Sequence, residues 1–458
     1  MIKKWLKKLI PRFFLNQYYF LLAFFGAVFY GFPSQKLKVV GITGTNGKST
    51  VVSLSTKILE GAGYKVASIS SIKFKINGKE WINDFKMTMP GRFRLQKFLK
   101  QAVRAGCEYA LIEVTSEGIK QYRHRFIHFD VAVFTNLSPE HIEAHKGFEK
   151  YRQEKLKLFK CASNLHIINL DDKSAEYFLK IPAKEKYCYT IEKRKTRAQS
   201  SKNLKAENIK TKASGVNFEV CGTLFHLNLL GKFNIYNSLA AVCVGLSQGV
   251  SLKICKKALE KVKVIPGRME VIADKPFEII VDYAHTPDSL EKVYQAIKKS
   301  KFKTQNLKQI SNTKIQKPNM ICVLGACGGG RDKWKRPVFG EIAAKHCDKI
   351  IITNEDPYDE NPSKILSGIK SGIFNFSARN ALHNDAGGQF PISNFYEILD
   401  RRNAIKKALE LAQPNDIVII TGKGSEPWMC VEKGKKIPWN DRKIVHQELK
   451  KQKLITNH

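Results

Sequence analysis

The chain has 458 residues, 43% of them hydrophobic, with 5 Trp, 15 Tyr and 27 Phe; this composition excludes a disordered protein, and the length allows two or three domains with their own cores. Lys and Arg number 78 against 41 Asp and Glu, for a net charge of +37. The basic residues are spread along the whole chain with no Arg-rich stripe, which favours a highly solvated surface over a nucleic-acid module, and a positive field suits an acidic, nucleotide-linked substrate.

At the amino terminus Lys3, Lys4, Lys7, Lys8 and Arg12 precede an uncharged run, 13–32. The run is long enough to cross a bilayer, but Asn16, Gln17, the tyrosines, Gly26 and Gly31 weaken it. A leading positive cluster stays on the cytoplasmic side, so a crossing would carry the following residues away from ATP. A helix packed on the protein or lying in the membrane interface is expected instead. Next comes Val39-Val40-Gly41-Ile42-Thr43-Gly44-Thr45-Asn46-Gly47-Lys48-Ser49-Thr50, a short apolar strand, a glycine-rich turn and a helical start. That is the layout of a phosphate-binding loop: backbone N–H groups close on a polyphosphate, a lysine adds a point charge, and a hydroxyl reaches Mg²⁺.

After Pro33 strand and helix alternate. Strands are predicted over 37–43, 66–70, 109–114, 131–135 and 165–170, and helices over 49–61, 92–105 and 148–161, the pattern of a mostly parallel sheet covered by helices. The stretch 209–230 alternates with Gly215 and Gly222 at turns and reads as antiparallel ribbons, followed by a helix over 234–248. Pro266-Gly267 marks a boundary. Beyond it a second alternating set places strands at 278–281, 320–324, 349–353 and 416–421, with surface loops at 301–318 and 377–393. The fold class is therefore α/β: an N-terminal helical segment (1–34), a P-loop central domain with a mostly parallel sheet (35–265) and a C-terminal Rossmann-like domain (266–458). The 10 cysteines are scattered, with no Cys-x-x-Cys, so zinc ribbons lack support and reduced thiols suit the cytosol.

Ligands in open parallel sheets sit outside the carboxyl ends of the strands. Glu113 ends one predicted strand, followed by Thr115-Ser116; Thr135-Asn136 ends the next, with His141 and His145 just beyond. Arrayed with Ser49, such a carboxylate and imidazole suit Mg²⁺ ligation.

Several of these motifs together resemble the Mur ligase family: Gly-Thr-Asn-Gly-Lys-Ser (44–49), Glu-Val-Thr-Ser (113–116), Phe-Thr-Asn-Leu-Ser (134–138) with His141, and Tyr151-x-x-x-Lys155. The sequences 231–237, Pro266-Gly-Arg-Met-Glu270, Asp282-Tyr-Ala-His-Thr-Pro-Asp288, Gly329-Gly-Arg-Asp-Lys333 and Gly422-Lys-Gly424 extend the likeness, which is nearest to the UDP-N-acetylmuramyl-tripeptide synthetase branch. The resemblance implies an ATP-dependent ligase of peptidoglycan precursor synthesis. ATP converts a substrate carboxylate to an acyl phosphate, and an amine displaces phosphate to form an amide. It implies ATP contacts from Gly44, Thr45, Asn46, Gly47, Lys48, Ser49, Thr50, Asn237, Arg268, Asp282 and His285. It places Ser49 and Glu113 on one Mg²⁺ and His141 on a second, supported by a carbamylated Lys155, so that Lys48, Glu113, His141 and Lys155 carry the chemistry. Thr88, Ser116, Gln121 and Arg123 match positions that hold the nucleotide-linked muramyl peptide. Arg331, Gly422 and Glu426, with Asp356, match those for the incoming amino acid, Arg331 gripping its carboxylate in a two-pronged way.

Three departures from the family pattern bear on substrate. About forty residues precede the phosphate loop, where the family has a uridine-binding domain of about a hundred, so no uridine contact is assigned. Glu355-Asp356-Pro357-Tyr358 stands where diaminopimelate-adding enzymes carry Asp-Asn-Pro-Arg, and tyrosine cannot make arginine's bidentate bridge to a second carboxylate; the amine is diaminopimelate, lysine or another. Glu117 and Ser425 replace histidines. The alternatives are a Mur-like ligase acting on another carboxylate, as in folylpolyglutamate synthesis, or a membrane-associated nucleotide-binding scaffold. The expected location is the cytoplasm, peripheral at the inner face of the membrane through residues 1–32, with no nucleic-acid partner.

Overall fold

A computed structural model of the chain describes residues 11–85, 87–192, 201–301, 318–383 and 391–452. The basic cluster 3–8 and nearly all of the expected 301–318 loop lie outside the described residues. The chain divides into two compact units, Met1–Lys263 and Val264–His458.

The first unit is built on an eleven-stranded sheet. Its strands are β1 (Lys38–Thr43), β2 (Val66–Ile69), β3 (Lys73–Ile76), β4 (Lys79–Ile82), β5 (Tyr109–Glu113), β6 (Val131–Phe134), β7 (Leu165–Asn169), β8 (Glu185–Thr190), β9 (Ser201–Lys212), β10 (Gly215–Val220) and β11 (Thr223–Leu227). They lie in the order β11-β10-β9-β8-β7-β6-β1-β5-β2-β3-β4. The run from β9 to β2 is parallel, and both edges are antiparallel ribbons. The central strands β1, β5 and β6 are buried almost throughout, which is why they read as continuous apolar runs rather than alternating ones.

Helices α1 (Arg12–Tyr30), α2 (Lys48–Gly61), α3 (Arg92–Arg104), α4 (Phe148–Cys161), α5 (Phe233–Ser247) and α6 (Leu252–Glu260) accompany this sheet. Helix α2 packs on α5 and α6, burying Val51, Val52, Leu54, Ile58 and Leu59. Helix α4 buries Tyr151, Lys155, Leu158 and Phe159, the i, i+4, i+7, i+8 spacing of one helical face. The lysine thus stands in line with core residues, and this places it in the site.

The second unit has a six-stranded sheet in the order β12-β13-β17-β14-β15-β16: β12 (Glu270–Ala273), β13 (Glu278–Asp282), β14 (Met320–Leu324), β15 (Lys349–Ile352), β16 (Phe395–Glu397) and β17 (Ile417–Thr421). All pairs but β12–β13 are parallel. Helices α7 (Pro287–Lys301), α8 (Lys335–His346), α9 (Pro362–His383), α10 (Arg401–Leu411) and α11 (Asp441–Lys451) complete it. Ile279, Val281, Val323, Ile351, Ile405, Val418 and Val445 are among its core residues.

Two expectations need correction. The stretch 377–393 is not all loop: α9 continues to His383, because 377–383 carries no Gly or Pro to stop it. The cysteines are not all reduced: Cys322 in β14 and Cys347 at the end of α8 form a disulfide with Cα atoms 6.1 Å apart. The β14–α8–β15 crossover returns the chain alongside β14 and so brings together two residues 25 apart in sequence.

Candidate active site

In the first unit the sheet order sets the site. Strand β1 lies between β5 and β6, with β2 beyond β5, so the segments leaving four adjacent strands emerge side by side at their carboxyl ends. The loop after β1 runs Gly44 to Gly47, and Gly47, with φ +82°, caps α2. Gly44 has φ +152°, and a Cβ there would lie 1.9 Å from Thr135 Oγ1; one at Gly47 would lie 2.3 Å from Asn237 Oδ1. These positions demand glycine on conformation and on space. The loop is pinned to the end of β6: the Asn46 N–H donates to Asn136 Oδ1 at 2.9 Å, the Thr135 hydroxyl to Asn46 O at 2.7 Å, and the Thr45 N–H to Asn136 O at 2.8 Å. The first turn of α2 therefore presents its N–H groups and positive dipole end, with Lys48, Ser49 and Thr50, as an anion cradle.

Glu113, at the end of β5, accepts from the Ser49 hydroxyl at 2.7 Å and lies 3.8 Å from Lys48 Nζ. Lys48 also donates to Thr45 O at 2.8 Å. On the other side of the loop the buried Lys155 ammonium donates to Gly44 O at 2.7 Å. Burial, and next the charge of Lys48, hold the Lys155 pKa well below the ordinary lysine value; this moves its equilibrium towards the neutral amine. One turn earlier on α4, Tyr151 Oη lies 3.1 Å from Thr45 Oγ1. His141, with φ +56°, has its ring 6.3 Å from that of Tyr151. The structure thus sets Lys48, Ser49, Glu113, His141 and Lys155 around one loop, with Asn237 of α5 against Gly47.

The residues matched to the acceptor also lie in this unit, and two of them, Gln121 and Arg123, meet directly. Arg123 is buried and donates to Met89 O and, at 2.7 Å, to Gln121 Oε1. Thr88 lies between Met89 and Met87, whose sulfur is 2.8 Å from Arg123 Nη2. Ser116 Oγ is 3.2 Å from His145 Nε2.

The second unit repeats the strand-end logic. Asp282 ends β13, Gly422 follows β17, the Gly325–Arg331 segment follows β14, and Glu355-Asp356 follow β15; these four strands are consecutive in the sheet. Asp282 accepts from the N–H groups of Met269 and Ala284 at 2.6 and 2.7 Å. Burial raises its pKa, against the pull of Arg268 and these donors. His285 Nδ1 lies 2.8 Å from Tyr283 O; burial, then Lys335, Arg268 and Arg331, push the ring pKa well down and favour neutral imidazole. Lys423 bridges Asp356 at 2.9 Å and Glu426 at 2.5 Å. Burial opposes its charge, yet the two carboxylates leave its pKa raised. Tyr283 donates to Glu426 at 2.8 Å. The loop before Arg331 rests on the Glu355–Tyr358 turn, through the Gly328 N–H to Asp356 O at 2.8 Å.

Sequence reasoning passed over Ser71, Glu355 and the side-chain roles of Tyr283 and Lys423. Ser71 donates its N–H to Glu113 at 2.9 Å and holds Ser49 Oγ at 2.6 Å; the strand-end rule that selected Glu113 also points to it. Glu355 is buried, accepts from Cys327 Sγ at 2.9 Å, and has its pKa raised by burial and then by Asp356.

Ser49 and Glu113 offer hard oxygen donors. Mg²⁺ retains waters and is bound through one or two carboxylates plus substrate phosphates, so this sparse pair beside an anion cradle fits it. Among the described residues no group of three or more His, Cys, Asp or Glu is arranged to hold a metal ion, so the described side chains build no closed protein cage of that kind.

Comparison with known proteins accords with this arrangement. Residues 42–245 match the Mur ligase middle domain and residues 267–424 the Mur ligase, glutamate ligase domain. The chain is 36% identical to the UDP-N-acetylmuramoyl-L-alanyl-D-glutamate–2,6-diaminopimelate ligase 1 of Clostridium acetobutylicum, over 94% of this chain and 81% of that one. It is 33% identical to the UDP-N-acetylmuramyl-tripeptide synthetase of Roseiflexus sp., over 92% and 80%. A solved UDP-N-acetylmuramoyl-L-alanyl-D-glutamate–2,6-diaminopimelate ligase superimposes with a TM-score of 0.56 at 29% identity, covering 91% of this chain and 79% of its own. With a phosphate cradle, a matching pair of family domains and relatives of this similarity over nearly its whole length, the chain belongs to the Mur ligases, the ATP-dependent enzymes that join an acid to an amino acid through a C–N bond.

Proposed function

We propose that this enzyme joins a diamino acid to the D-glutamyl carboxylate of a UDP-linked muramyl dipeptide. The observation that carries this reading is the grouping of Lys48, Ser49, Glu113 and Lys155 around a glycine-pinned loop at the carboxyl ends of adjacent strands. A carboxylate resists amines because oxide is a poor leaving group. Transfer of the ATP γ-phosphoryl group to one carboxylate oxygen gives an acyl phosphate; the amine nitrogen then bonds the carbonyl carbon, the C–O bond to phosphate breaks, and the amine gives up a proton. The loop N–H groups and Lys48 bind and orient the triphosphate and meet the charge that develops on the transferring group. Ser49 and Glu113 would hold one Mg²⁺, with His141 and modified Lys155 serving a second; the ions supply charge neutralisation at the phosphates. By the family resemblance, ATP contacts are assigned to Asn237 and, in the second unit, to Arg268, Asp282 and His285, and acceptor contacts to Thr88, Ser116, Gln121 and Arg123. Incubation with ATP, muramyl dipeptides with and without the uridine moiety, and a panel of diamines, read by product mass, tests the assignment. ATP turnover that no carboxylate–amine pair stimulates overturns it.

Lys155 is assigned as a carbamate. The amine nitrogen bonds the carbon of CO₂ and loses a proton, exchanging a cation for an anion suited to the metal site. The depressed pKa supports this, since only a neutral amine reacts. Enzyme equilibrated with ¹³C-bicarbonate is expected to show a carbamate carbon resonance that Lys155→Arg lacks, with activity about a hundredfold lower in the variant. A spectrum identical in the two proteins refutes the modification.

We assign Arg331 to the α-carboxylate of the amine, and Gly422, Glu426 and Asp356 to the same incoming amino acid. Tyr358 stands where an arginine would meet a second carboxylate on the amine, and its phenol brings no guanidinium to pair with that charge. A diamino acid with one carboxylate, such as lysine, is therefore expected to exceed diaminopimelate at least about tenfold in kcat/KM, and Tyr358→Arg to narrow that gap. Preference for diaminopimelate in the unaltered enzyme refutes this assignment. The enzyme works in the cytoplasm, where ATP is, and sits peripherally at the inner face of the membrane.

A further inference from the structure

Helix α1 has two apolar faces. Its inner face buries Tyr19, Ala23 and Ala27; the Tyr19 ring lies 4.1 Å from the Arg92 guanidinium, and Phe20 meets Phe126 edge-on at 5.0 Å. The outer face carries Phe14, Tyr18, Leu21, Phe25, Val28 and Phe29, at i, i+4, i+7, i+11, i+14 and i+15. Phe14 is 62% exposed and Phe29 74%. Isolated exposed apolar side chains are ordinary, but a stripe from Phe14 to Phe29 along most of a nineteen-residue helix marks an interaction surface.

The sequence indicates what covers it. No Asp or Glu occurs before Glu60, while Lys3, Lys4, Lys7, Lys8 and Arg12 precede the stripe. Between those lysines stand Ile2, Trp5, Leu6, Leu9 and Ile10, at i, i+3, i+4, i+7 and i+8, the spacing of a basic amphipathic stretch. A second copy of this chain would bring the same positive charge against itself. An anionic lipid surface complements both the lysines and the aromatic stripe. A crossing is disfavoured because the inner face is already packed on protein.

We propose that the outer face of α1 docks into the interfacial layer of an anionic bilayer, the helix lying in the plane and the N-terminal lysines against the headgroups. This rests on the peripheral location proposed above, but sedimentation with vesicles tests it without reference to ligase activity. Full-length protein is mixed with phosphatidylcholine vesicles, with or without about a third phosphatidylglycerol. Partitioning is expected to rise at least about tenfold with the anionic lipid and to fall with added salt. Phe14→Ser/Tyr18→Ser/Phe25→Ser/Phe29→Ser should abolish binding to both kinds of vesicle while ATP turnover persists. Lys3→Ser/Lys4→Ser/Lys7→Ser/Lys8→Ser, which leaves the helix intact, should remove only the preference for anionic lipid. Three results overturn the proposal: protein that stays in solution with both vesicles, light scattering that reveals a dimer dissolved by the aromatic substitutions, or cell-membrane protein that alkaline carbonate fails to release.

Discussion

Replacement of Lys48 by alanine is expected to lower kcat roughly 10³-fold, equivalent to about 4 kcal/mol of transition-state stabilisation. Lys48 opens α2 directly after the capping glycine, with its ammonium 3.8 Å from Glu113 and bonded to the Thr45 carbonyl. It is the flexible cation of the cradle; the loop before it is pinned by hydrogen bonds to the Asn136 carbonyl and side chain and from the Thr135 hydroxyl. Removing it leaves those dipoles in place but takes away the full charge that faces the transferring phosphoryl group. Lys48→Arg should recover only part of the loss, since a planar fork does not reproduce a compact point charge. Steady-state phosphate release decides the matter: a variant within tenfold of the parent means that the lysine is not the phosphoryl partner.

The largest expected effect on stability lies in the second unit, at Arg401. Both this guanidinium and the Asp441 carboxylate are fully buried. Nε and Nη2 donate to the two carboxylate oxygens at 2.9 and 2.8 Å, Nη2 also reaches Thr421 O at 2.8 Å, and the Trp439 indole donates to Asp441 at 2.8 Å. The pair ties the starts of α10 and α11 to the end of β17, immediately before Gly422. Arg401→Ala leaves a buried carboxylate without its cation, which typically costs 3–5 kcal/mol, whereas replacing both charges by apolar residues is often near neutral. Urea unfolding followed by tryptophan fluorescence is a suitable measurement, because Trp334, Trp428 and Trp439 all report on this unit. A loss of about 3–5 kcal/mol in Arg401→Ala is expected, with most of it regained in Arg401→Met/Asp441→Leu. A loss below about 1 kcal/mol would falsify the claim that this pair organises the unit.

Much of this architecture is legible in the sequence, for physical reasons that differ from place to place. Strands β1, β5, β6 and β7 are buried on both faces, so their residues form unbroken apolar runs bounded by glycine or polar turns. Helix α4 declares itself through Tyr151, Lys155, Leu158 and Phe159 on one face. The β3–β4 ribbon was harder to see: its lysines and glutamates look like loop, and only Asn77-Gly78, both with positive φ, betray the turn. In the first unit the segments that meet at the loop each end a strand, and so Glu113 and Thr135-Asn136 could be picked out one by one. In the second unit the family resemblance marked Glu426 and Asp356, but nothing local showed that they meet Lys423 and Tyr283 beside Glu355. That meeting arises because β17 lies between β13 and β14, a neighbourhood that no local pattern encodes.

That same placement governs how the enzyme can be born. The inner strand of the second sheet is the last of its parallel strands to leave the ribosome, and it pairs with partners made about a hundred residues earlier or more. Until residues 417–421 emerge, β13 and β14 each present an open edge, the surface on which nascent chains stick to one another. Synthesis cut short before residue 417 therefore leaves two half-sheets with no strand to join them.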